Sequence, residues 1–136
     1  MKIMLKRLSI SLVWWCPVLL ISFAGCSQGP ITGGTTGVLR TDGNPIPDVQ
    51  VTIYSTADPD ARGYAVTSGD GTFELVMQDS TGPLYLETGS YIAVLESVGA
   101  PTELPTEYLQ RDSTPLRFDW PQNETLVLNV PGLKLN

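Results

Sequence analysis

The chain has no histidine in its 136 residues, only two cysteines, and 8 cations against 14 acids. Each shortage removes a class of chemistry. Without histidine there is no imidazole to act as base for a cysteine or serine nucleophile, and the commonest metal ligand is missing. Lysine is nearly as scarce. After Lys6 the next is Lys134, so a serine nucleophile has no lysine base within the body of the chain. A net charge of −6 repels phosphate backbones and argues against nucleic acid as a partner. Helical periodicity is also missing beyond residue 25, as are internal repeats and low-complexity segments.

What is present begins with a patterned N-terminus. Lys2, Lys6 and Arg7 lie in a short segment without acids. Leu8 to Ala24 is mostly apolar, interrupted by Ser9, Ser11, Pro17 and Ser22. A basic start, an apolar run and small residues at its end make a secretory signal peptide. The run falls short of the roughly 20 apolar residues that a spanning helix needs. An uncleaved anchor is the alternative. Cys16 lies inside the segment to be removed, which leaves Cys26 without an intramolecular partner and excludes a disulfide framework. A lone free thiol is unusual in an oxidising compartment, whereas a modified one is not.

Ala24-Gly25-Cys26 resembles the lipobox of bacterial lipoproteins, written Leu-Ala/Ser-Gly/Ala-Cys. Phe23 stands where an aliphatic residue is usual. The resemblance implies a diacylglyceryl group on the Cys26 sulfur, cleavage before Cys26 and acylation of the new amino terminus. Each buried methylene contributes about 0.8 kcal/mol, so two or three chains anchor durably where one is marginal. Losing residues 1–25 of 136 leaves 111, and losing Lys2, Lys6 and Arg7 takes the net charge from −6 to −9. That length suits one domain with a single core. The expected organisation is a signal peptide over 1–25, a lipidated cysteine and flexible tether over 26–36, and a folded domain over 37–136.

The body reads as short strands between turns. Gly37 to Thr41 is the first, closed by the turn residues Asp42-Gly43-Asn44. Val49, Val51 and Ile53 alternate with Gln50, Thr52 and Tyr54, the period of a half-buried strand. Gly63 to Thr67 and Thr72 to Val76 follow, joined by Ser68-Gly69-Asp70-Gly71. Phe73 and Leu75 share one face of the latter, with Glu74 on the other. Leu84 and Leu86 suggest a brief edge segment. Tyr91 to Leu95 is apolar on both faces, which predicts a central strand or one covered on both sides. A long connection over 97–115 contains Pro101, Pro105 and Pro115. Two more alternating runs, Leu116 to Trp120 and Leu126 to Val130, complete about seven strands. The expectation is an all-β chain folded as an antiparallel β-sandwich.

The segments "TGVLRTDGNPIPDVQVTIYS", "VTSGDGTFEL" and "LETGSYIAVLE" resemble, in order and spacing, the carboxypeptidase regulatory-like domains. With "ELPTEYLQRDSTPLRFDW" and "ETLVLNV" the chain is similar to small lipoproteins carrying such a domain in planctomycete-type bacteria. The resemblance covers nearly all of residues 35–130. It implies a transthyretin-like (prealbumin-like) Greek-key sandwich, and a non-catalytic folding or interaction module. Gly43, Gly71 and Gly89 match structural positions of the pattern, as do Pro45 and Pro47.

Candidate chemistry is sparse. Hydroxyisourate hydrolysis on a transthyretin-like fold needs histidines, and zinc peptidase chemistry needs His and Glu ligands. An isopeptide bond of the kind found in related surface adhesins needs a lysine on a strand, whereas Lys134 follows the last one. Asp58, Asp60 and Asp70 offer oxygen ligands, but their spacing does not match a calcium loop, and aspartates in such positions make turns. Asn123-Glu124-Thr125 is formally a sequon, and Asn123 reads as a turn residue. Tyr108 and Trp120 are the candidates for stacking on a ligand, against a competing role in the core. No enzyme activity, cofactor or metal is expected. The reading is a cell-envelope lipoprotein, held to a bacterial membrane through Cys26 and facing periplasm or exterior. Its sandwich is a structural or protein-interaction module, with a carbohydrate- or peptide-binding module as the alternative.

Overall fold

A computed structural model describes residues 29–99 and 102–135. The signal segment, Cys26 and the start of the tether lie outside the described residues.

The described chain is all-β, with nine strands in two sheets and a single 3-10 turn. Strand β1 (Thr36–Thr41) turns at Asp42-Gly43, with φ of 48° and 87°, into the short β2 (Asn44–Pro45). Two consecutive positive φ values mark the hairpin turn whose twist suits the flanking strands. Strands β3 (Val49–Ser55) and β4 (Ala61–Val66) form the next hairpin. Ser68 and Gly71 then close the tight turn into β5 (Thr72–Glu74), with Gly71 N donating to Ser68 O at 2.8 Å. After β6 (Val76–Met77) come β7 (Gly89–Ser97), β8 (Arg117–Trp120) and β9 (Leu126–Asn129).

The first sheet is built on β1, which pairs with β9 on one side and with β2 and β5 on the other. The second runs β6-β4-β3-β7-β8. Their inner faces meet in one core. Leu39, Phe73, Leu126 and Leu128 come from the first sheet, and Val51, Ile53, Ala93, Leu95 and Trp120 from the second. This is the two-layer arrangement that the alternating pattern anticipates.

Three features depart from the expected antiparallel set of about seven strands. Strand β9 runs parallel to β1, with Val38 opposite Val127 and Arg40 opposite Asn129. Every other pairing is antiparallel. The expected strand Thr72 to Val76 is two strands in two sheets. Leu75, fully buried at the break, donates to Thr35 O and accepts from Leu84 N, both at 2.9 Å. The chain thereby crosses from the first sheet to the second. The third feature is β2, a two-residue addition after the Asp42-Gly43 turn.

Strand β7 is central, between β3 and β8. Tyr91, Ala93 and Leu95 face the core, and the outward Ile92 is buried as well. Its cover is the long connection. Thr114 Oγ1 donates to Ala93 O at 2.9 Å, and Arg111 lies across Tyr54, the register partner of Ile92.

Candidate functional site

The aromatic candidates are placed by the core. Tyr108 sits on the 3-10 turn Thr106–Leu109 and is 5% exposed, pinning the long connection to the sandwich. Trp120 ends β8, is also 5% exposed, and donates from Nε1 to Leu86 O at 3.2 Å. Both rings are packed in the core, and Trp120 also contributes to the lining of a surface cleft. Burial of an aromatic with its polar atom satisfied is the common structural use of such residues.

The aspartates act as turn formers. Asp58 Oδ1 accepts from Asp60 N at 3.0 Å. Asp70 Oδ1 accepts from Thr72 N at 3.1 Å and from Thr72 Oγ1 at 2.6 Å. Asp79 holds Thr81 in the same way, at 3.1 Å and 2.7 Å. The Thr72 hydroxyl, then the Thr72 amide, keeps the Asp70 carboxyl below its usual range, and Thr81 does the same for Asp79. Asp58 and Asp60 border one recess and Asp70 another, so the fold does not gather the three. Among the described residues no three His, Cys, Asp or Glu side chains group closely enough to hold a metal ion.

The remaining shifted groups are also structural. Burial raises Tyr91, with Arg62 partly opposing it, and its hydroxyl donates to Glu87 O at 2.7 Å. Burial, then the charge of Glu107, raises Tyr108.

One surface feature escaped the sequence reading. Tyr85 lies between two leucines that both turn inward, Leu84 and Leu86, and is 66% exposed. The signal was available: in an alternating Leu-Tyr-Leu run with buried leucines, the tyrosine must point outward. Its backbone is held firmly. Thr35 N donates to Leu84 O at 2.8 Å, and Leu86 N donates to Thr35 Oγ1 at 2.9 Å. Beside Tyr85 is a cleft of about 340 Å³, lined also by Thr36, Leu86, Trp120, Gln122, Asn123 and Glu124.

The chain matches no protein-family model, no curated protein and no solved structure.

Proposed function

We propose that this chain is a non-enzymatic lipoprotein of a bacterial envelope. Cys26 carries the lipid, and the tether is the stretch from there to about residue 32, because Gly33 and Thr35 are already hydrogen-bonded to the sandwich and Thr36 opens β1. The sandwich is a transthyretin-like Greek key of the carboxypeptidase regulatory-like kind. The domain works by contact, as a structural or protein-interaction module facing periplasm or exterior. The two-sheet fold supports the transthyretin-like reading. The absence of histidine from the sequence, and perturbed groups occupied in turns and core, support a role without catalysis.

The observation that carries the interaction reading is the outer edge of β9, which no strand among the described residues covers. Val130 N donates to Arg40 O at 2.8 Å, which turns the backbone groups of Val127 and Asn129 away from β1. Edge strands are commonly blunted by lysine, proline or a bulge. The four residues of β9, Leu-Val-Leu-Asn, contain no charge and no proline, and Val127 is 61% exposed. A partner strand can add there through main-chain hydrogen bonds.

Two measurements test the proposal. Mass spectrometry of the mature N-terminus should find an acylated Cys26; an intact Met1 or an unmodified thiol there refutes the anchor. A photo-crosslinker at position 127 in intact cells should join the chain to one envelope protein, and Val127→Pro should reduce capture from a neighbouring position. Capture indifferent to the proline refutes strand addition.

A further inference from the structure

We propose that the cleft beside Tyr85 binds an uncharged saccharide. The inference rests on the reading that the domain works by contact rather than chemistry, and it names a ligand class and a site which that reading leaves open.

The first support is the ring itself. Tyr85 is the one aromatic exposed beyond a third of its surface among the described residues. The two leucines beside it are buried, and hydrogen bonds to Thr35 fix the backbone on both sides. An aromatic presented on a rigid support offers a large contact area at little cost in conformational entropy. The flat face of a pyranose, lined by C–H groups, is a fitting counterpart for such a ring.

The second support is the set of polar groups facing it. Gln122 and Asn123 both have left-handed backbone, φ 74° and 59°, without a glycine between them. Glutamine in this region is strained, and such strain concentrates at ligand sites. The turn puts Gln122, Asn123 and Glu124 in the lining of the cleft, residues that carry two amides and a carboxylate. Among the described residues, no side-chain hydrogen bond engages Gln122, Asn123 or Glu124. Each amide supplies donors and an acceptor, and the carboxylate accepts two bonds, which matches the hydroxyls of a sugar.

The third support is charge and size. Among the described residues Glu124 is the only charged one lining the cleft, and none of them supplies a cation there to receive a phosphate or carboxylate. The chain as a whole is acidic, so an anionic ligand is disfavoured. A volume of about 340 Å³ lies at the small end of ligand clefts. It suits one or two sugar rings. The aromatic wall and free amides together separate this cleft from the recess at Asp58 and Asp60, whose lining has no aromatic.

The test uses the purified full chain and an array of neutral oligosaccharides, with maltotriose, cellotriose and triacetylchitotriose as solution probes. At least one saccharide should bind selectively, with amide NMR shifts centred on residues 85 and 122–124. Tyr85→Ala should weaken that binding about tenfold, the upper end of what an aromatic contact contributes. Tyr85→Phe should hold it within about twofold, because the ring rather than the hydroxyl makes the contact. Glu124→Gln should shift the preference among sugars. Circular dichroism checks that the variants fold, and the wild-type shift map locates the site without any variant. Failure of every saccharide to bind overturns the proposal, as do shifts elsewhere or binding indifferent to Tyr85→Ala. Tyr85-dependent binding of an extended peptide, with no saccharide bound, overturns it in favour of a peptide site. None of these outcomes depends on acylation of Cys26, so failure here and failure of the anchor are separate results.

Discussion

Gly37 and Phe73 are register partners across β1 and β5, and the Phe73 ring lies where a Cβ on residue 37 would stand. The ring is 4% exposed and belongs to the core. Glycine at 37 is therefore a packing requirement. Gly37→Ala should cost about 1–3 kcal/mol, the range for overpacking a dense interior. Urea unfolding measures it. Phe73→Leu vacates part of the space, so the double variant should be more stable than the sum of the single effects predicts. Strict additivity would mean that something other than the ring crowds position 37.

That pair also marks the limit of legibility in the sequence. Gly37 reads as the first residue of a strand, but Gly-Val-Leu-Arg-Thr does not alternate, so the inward face of β1 is not written in it. Nothing local says that a ring from thirty-six positions later fills its empty side. The same limit hides the parallel pairing of β9 with β1. Period 2 records which residues face the core, but it is identical for parallel and antiparallel neighbours. The break at Leu75 is hidden for a related reason. Phe73 and Leu75 remain on one inward face while the backbone passes from one sheet to the other. The turns were legible because Asp42-Gly43 and Ser68-Gly69-Asp70-Gly71 encode their geometry locally. Tyr85 was legible in principle, from the two leucines that flank it.

Trp120 should be sensitive to loss of a single nitrogen. Its Nε1 donates to Leu86 O at 3.2 Å, and Leu86 is buried. Trp120→Phe keeps most of the apolar contact and strands the carbonyl, at about 1–3 kcal/mol. Trp120→Ala should cost more, about 3–5 kcal/mol. Thermal or urea unfolding separates the two. A neutral Trp120→Phe would mean that water in the neighbouring cleft serves the Leu86 carbonyl instead.

Asp70 should report on its turn through acid titration. The Thr72 hydroxyl is the largest cause of its lowered pKa, followed by the Thr72 amide. A carboxyl lowered in the fold stabilises it above the unfolded value, near pH 4, and loses that contribution as pH falls through the folded value. Thr72→Val removes the hydroxyl and leaves the amide. Carboxyl-carbon NMR should then show Asp70 rising part of the way to its usual range, while Asp79, held by Thr81, stays low. An unchanged Asp70 would assign the effect to the backbone amide alone.

Arg111 closes the outer face of the second sheet, and it does so at three points. Nη2 donates to Ser55 O at 3.3 Å and to Asp58 O at 3.1 Å, while the guanidinium lies 5.6 Å from the Tyr54 ring centroid. Its Nε is buried without a partner among the described residues, so the clamp carries one unsatisfied donor there. Arg111→Lys keeps the charge but loses the planar fork and the stacked surface. It should destabilise by about 1–2 kcal/mol, from the lost ring contact and carbonyl bonds less the relief of the stranded Nε. Hydrogen exchange should speed up at Asp58, whose amide bonds Ser55 O at 3.4 Å, before it changes in β7. Tyr54→Leu should loosen the same loop. If the guanidinium and the ring form one contact, the Arg111/Tyr54 cycle should show coupling of at least about 0.5 kcal/mol. Zero coupling would leave the two carbonyl bonds as the whole of the clamp.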